Sequence, residues 1–194
     1  MLASIHPLGE RARNRRWGVT VGAYLLGSTL AAALLGAALG ATGGVLPLST
    51  GVTAGLVVAA GALALAADLG AYRLPTVHRQ VDKDWLDRYR GWVVGLGFGF
   101  QLGLGVVTIV NTAAVYLALA LALMSGSAAA GAMIGTTFGL VRALVILVVA
   151  PVRRPDQLRI ALRRMHGWRT LSQRAGIAVQ ALFLVAAGAV AIVQ

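Results

Sequence analysis

Long apolar stretches alternate with short polar or basic links along this chain. The first covers 17–41, the second 51–72, the third 91–124, the fourth 128–152 and the fifth 177–192. A membrane-crossing helix needs about 20 predominantly apolar residues, so each stretch is predicted to span a bilayer. The first reads as a signal anchor, because a cleaved signal peptide has a shorter apolar core and a clearer cleavage site. Two links, ATGGVLPLST at 41–50 and SGS at 125–127, carry no charge and read as tight turns. The third stretch is too long: 34 residues rise about 51 Å, against a hydrocarbon core of about 30 Å. We expect one long helix, tilted and irregular at Gly95, Gly97, Gly99, Gly103 and Gly105. A re-entrant section is compatible only with a backbone covered by protein.

Composition agrees with this class. The 194 residues are 58% hydrophobic and 12% charged, with a mean hydropathy of +0.80. A soluble domain carries about 25% charged residues. The net charge of +11 is segregated. Of 17 Lys and Arg residues, four precede Trp17, five lie between Arg73 and Arg90, seven lie between Arg153 and Arg174, and Arg142 stands apart. The positive-inside rule then places the three basic segments in the cytoplasm and the two uncharged links outside. The expected fold class is therefore an all-α polytopic membrane protein, with five spans, the N-terminus inside and the C-terminus outside. The basic residues come without a nucleic-acid-binding signature, so no nucleic acid is expected.

At an offset of 80 residues, Gly51 aligns with Gly131, Gly55 with Gly135, Arg73 with Arg153, Pro75 with Pro155 and Arg79 with Arg159. This suggests a single membrane domain holding a parallel repeat, 17–90 and 91–172, followed by the final span. Each RxP opens an expected cytoplasmic helix. In the first, Val77, Val81, Trp85 and Tyr89 recur every four residues; Lys83 with Asp87 and Asp84 with Arg88 form i, i+4 pairs. In the second, Leu158, Leu162, Met165 and Trp168 oppose Arg159, Arg163, Arg164 and Arg169, the pattern of a helix lying among headgroups. Anchoring and topology account for both, and anionic lipid headgroups are the expected partner.

With no cysteine, the chain has no disulfide, thiolate metal site or thiol nucleophile. His6, His78 and His166 lack metal-ligand spacing, and Ser125 and Ser127 lack a nucleophile motif. No cofactor, metal site or enzymatic activity is expected. The third stretch is more informative. Gly97, Gln101, Gly105, Thr108, Thr112 and Tyr116 recur at three- and four-residue spacing, with Asn111 at the margin. Such a face serves either close helix packing or a solute path. Gly131, Gly135 and Gly139 give the fourth stretch a smooth face, and Gly51 and Gly55 do the same for the second. Arg142, near the membrane centre, is expected to face protein. Asp68, the acidic residue inside a predicted span, is its expected partner, with Asn111, Gln101 or freed backbone carbonyls as alternatives.

The glycine-rich GFGFQLGLGVVTIVNT at 97–112, followed by a short GS link and GAMIGTTFGL at 131–140, resembles the membrane domain of the cytochrome c biogenesis thiol transporters, the CcdA and DsbD family. GGVLPL at 43–48 is similar to that family's proline-cysteine element. Gly44 stands nearest to the redox cysteine, and neither proline nor cysteine occurs near Thr108 to Asn111. The family's inverted three-helix repeats also differ from the parallel repeat above. The resemblance thus implies a transporter-like scaffold without dithiol electron transfer. Two functions fit. One is a small transporter of an unidentified solute, homo-oligomeric because five short spans enclose little volume; the other is a noncatalytic accessory subunit or assembly factor of a larger membrane complex.

Overall fold

The computed structural model describes residues 5–70, 88–105 and 112–193, all of whose regular elements are helical. The expected helix following Arg73 falls largely outside these residues, as do Thr108 and Asn111. A short helix α1, Pro7–Ala12, precedes α2, Trp17–Val45, and α3, Thr50–Asp68. Then come α4, Gly91–Gly103; α5, Ala114–Met124; and α6, Ala128–Leu144, extended by a 3-10 turn, Val145–Val149. Helices α7, Pro155–Gly167, and α8, Arg169–Val193, complete the chain. Among the described residues, four segments are long and apolar enough to cross a membrane: Trp17–Val45, Thr50–Asp68, Ala128–Val149 and Thr170–Ala191.

Local chemistry sets several boundaries. Ser49 caps α3 by accepting from Val52 N at 3.4 Å, and Ser127 caps α6 by accepting from Ala130 N at 3.5 Å. Gln157 reaches back from the first turn of α7, its Oε1 accepting from Arg153 N at 2.7 Å and Arg154 N at 3.2 Å. Gly126 takes φ +59 between α5 and α6, a left-handed value that suits glycine.

Helix α2 is the spine. Gly95, Gly99 and Gly103 of α4 lie against the carbonyls of Thr20, Tyr24 and Ser28, so the two helices run parallel. Gly131, Gly135 and Gly139 of α6 lie against the carbonyls of Gly36, Ala32 and Ser28, so that pair is antiparallel. A methyl group at any of these six glycines would overlap backbone oxygen. Large side chains point the other way: Leu26, Leu34, Met133, Leu182 and Val185 are all more than 60% exposed. Small residues inside and large apolar ones outside is the arrangement of helices packed in lipid, where tight backbone contact replaces the hydrophobic drive of water.

Helix α3 packs on α5 and α8 instead, with Ala64, Ala113 and Leu117 buried together and Phe183 beside them. Among the described residues, the expected close contacts of Gly51 and Gly55 are not made. Gly51 and Gly55 have open space around them; Gly61, near Leu184 and Phe183, is the α3 glycine that meets a neighbour.

Two boundaries differ from the sequence reading. Gly43 and Gly44, expected in a turn, continue α2 as helix, because only glycine lets it run so close to the carbonyls of Leu123 and Gly126. The third stretch is not one continuous helix. It ends as α4 at Gly103, turns through Gly105 at φ +73, and resumes as α5. At about 1.5 Å per residue, neither the 13 residues of α4 nor the 11 of α5 could cross a bilayer alone.

Candidate functional site

The break between α4 and α5 lies deep in the bundle. Gly103 meets Ser28 near the middle of α2, and Ala113 precedes Leu123, which packs on Gly43, by ten residues, about 15 Å of helix. Breaking a helix at this depth frees backbone groups that lipid cannot satisfy, so protein must. Two polar clusters gather there, one on each side of the break.

The first is built on Asp68, where α3 ends. Its Oδ1 accepts from Ala113 N at 2.7 Å, capping the start of α5 with a negative charge at the positive end of the helix dipole. Its Oδ2 accepts from Thr112 Oγ1 at 2.6 Å and from Gln180 Nε2 of α8 at 2.7 Å. Thr112 Oγ1 also accepts from Ala114 N at 3.3 Å. One carboxylate thus ties three helices together. Gln180 is only 3% exposed, yet its Oε1 has no hydrogen-bond partner among the described residues.

The second cluster surrounds Arg142. Its guanidinium donates to the carbonyl of Gly105 at 3.5 Å and lies 5.6 Å from the centroid of the Phe138 ring. A carbonyl freed at the break was among the expected partners of Arg142. The ion pair with Asp68 is not made: the carboxylate is committed to Thr112, Ala113 and Gln180, across the break from the arginine. Thr112 joins Asp68, whereas Gln101 lies half-buried on α4. Beside Arg142, a groove of about 670 Å³ opens along the outer face of α6, lined by Met133, Thr137, Phe138 and Val141, with Ala114 of α5 opposite.

A further polar contact sits at the chain's start. Glu10, fully buried, accepts from Thr20 Oγ1 at 2.5 Å beside Gly91, where α4 begins. His6 caps α1, its Nδ1 accepting from Gly9 N at 3.1 Å. Burial, aided by Arg13 and opposed by Glu10, pushes the imidazole below its ordinary pKa of 6.5.

Gln180, Ser28, Tyr24 and Glu10 were not anticipated from sequence. Gln180 carried the plainest signal, as the polar side chain in the run IAVQALFLVAAGAVAIV. It invites the question that Arg142 does, why a polar group sits in lipid.

Comparison with known proteins gives no match among curated proteins or solved structures. A family model described as cytochrome C biogenesis protein transmembrane region matches residues 2–190, nearly the whole chain, and this multi-pass membrane protein therefore belongs to that family.

Proposed function

We propose that the protein is a small transporter of the cell membrane that moves a small solute without catalysis and without thiol redox chemistry. The broken α4–α5 element carries this reading, because discontinuous helices at mid-membrane are where transporters place substrate and ion sites. Helix α4 starts beside Thr20 and α5 ends beside Gly43, so together they run the length of α2 and count as one crossing. Five crossings then result, with the arginine-rich segments and N-terminus in the cytoplasm and the C-terminus outside. Helix α7 rests on anionic headgroups through Arg159, Arg163 and Arg164.

The absence of cysteine favours a solute other than reducing equivalents. So does Gly44, at the position resembling the family's cysteine element, where an added Cβ would press on the carbonyl of Gly126.

Gly51 and Gly55 favour a second reading. Their smooth, unfilled face on α3 suits another helix, from a second copy or from a larger complex in which this chain is a noncatalytic accessory subunit. Purification in mild detergent from the native membrane separates the two. A stoichiometric large partner supports the accessory reading. A homo-oligomer that mediates flux in proteoliposomes supports transport, provided Gln101→Leu, Thr108→Val, Asn111→Leu or Thr112→Val abolishes flux while the folded protein stays in the membrane.

A further inference from the structure

We propose that the groove beside Arg142 is a binding site for an amphiphilic anion, a long-chain monocarboxylate, whose tail lies along α6 and whose carboxylate meets the guanidinium. The argument starts from the two faces of α6. Gly131, Gly135 and Gly139 press against α2, so the opposite face is left to shape the groove. Met133 and Val141 on that face are 71% and 61% exposed. At about 670 Å³ the groove falls in the range of about 300–1,000 Å³ that small-molecule sites occupy.

Its chemistry is lopsided. Met133, Phe138, Val141 and Ala114 present hydrocarbon and sulfur, and the hydroxyl of Thr137 is turned back to the carbonyl of Met133 at 2.9 Å. Among the described residues, Arg142 is the charged one lining the groove. An apolar trough ending in one cation complements a molecule with an apolar chain ending in one anion. A guanidinium presents five N–H donors in a fork that matches a carboxylate, so it recognises that group while still holding the Gly105 carbonyl. The Phe138 ring, 5.6 Å from the guanidinium, lines the groove beside it. Arg142 also lies away from the basic segments: the end of α6 and the whole 3-10 turn Val145–Val149 separate it from Arg153. That depth is too great for a phospholipid headgroup, and a free monocarboxylate is the anion that reaches it within a chain-lined groove. That the bound anion is also the transported solute rests on the transport reading above; its binding does not.

The test uses the full chain in nanodiscs of neutral phosphatidylcholine, with cis-parinaric acid as a fluorescent probe and its methyl ester as the uncharged control. The acid is expected to bind saturably and at least about tenfold more tightly than the ester. Arg142→Gln should remove that preference and Arg142→Lys should retain most of it, because the charge remains. Val141→Trp, which fills the groove without touching the charge, should weaken the acid by a similar factor, and this arm stands even if Arg142→Gln does not fold. Equal binding of acid and ester, or unchanged binding in Val141→Trp, would overturn the proposal. So would efficient cross-linking between copies through Met133→Cys that the acid does not compete, since a second copy would then fill the groove. Binding without flux would leave this site in place and remove the transport reading instead.

Discussion

Ser28 Oγ donates a 2.9 Å hydrogen bond to the carbonyl of Gly139, while the carbonyl of Ser28 itself receives the close approach of Gly103. One fully buried serine in the middle of α2 thereby joins the last turn of α4 to α6. Ser28→Ala should cost only about 1 kcal/mol, the net worth of one such bond. Ser28→Leu or Gly135→Val should be far more damaging, because the added atoms meet backbone, which cannot yield without separating the helices. Thermal unfolding in detergent, compared across the three variants, checks the order.

Asp68 holds α3, α5 and α8 together, so its loss should act on all three at once. Asp68→Ala is expected to destabilise by about 2–3 kcal/mol, since hydrogen bonds to a charged group are lost and the start of α5 is left uncapped. Asp68→Asn should cost less, keeping one acceptor oxygen. A double-mutant cycle of Asp68→Asn with Gln180→Leu should give a coupling of about 0.5–3 kcal/mol. Additive effects would mean that the Gln180 contact carries no weight.

The N-terminal cap should be sensitive to pH. His6 Nδ1 accepts from Gly9 only when unprotonated, and its pKa is depressed below the ordinary 6.5. The folded state therefore favours the neutral ring. Its contribution is full above pH 6.5 and is lost as pH falls through the depressed value. Limited proteolysis of the residues preceding Trp17 should accelerate across that window in the parent chain. In His6→Asn, whose side-chain oxygen caps without titrating, the rate should stay flat.

How far this was legible in the sequence follows from the physics of each element. Apolar length alone predicts α2, α3, α6 and α8, since a span must be long and uncharged. The Arg159, Arg163 and Arg164 pattern likewise anticipates α7. The break at Gly105 is not legible in the sequence, because a glycine-rich stretch fits an irregular helix as well as two short ones, and the choice depends on Asp68 of α3 meeting Thr112 just ahead of α5. The pairing of Arg142 failed for the same reason. Sequence indicates that a buried charge needs a partner, but the connectivity places Asp68 with α5 and α8. Gly51 and Gly55 look like Gly131 and Gly135 in sequence, yet only the latter pair meets α2.

Topology gives the last prediction, and the absence of native cysteine makes it clean. Cysteine at Ser49, the cap of α3, or at Ser127, the cap of α6, should react with an impermeant maleimide applied to intact cells. Cysteine at Arg163 in α7 should react only after the cytoplasmic face is opened. These sites test the count of crossings as well as the orientation. Ser49 and Ser127 are separated by α3 and by the α4–α5 element, so they share a side only if the two short helices together cross once. If α4 and α5 instead dipped in and returned to the side from which α4 began, Ser127 would lie opposite Ser49. External labelling at Ser49 with protection at Ser127 would therefore discard the five-crossing arrangement, and labelling of both would retain it.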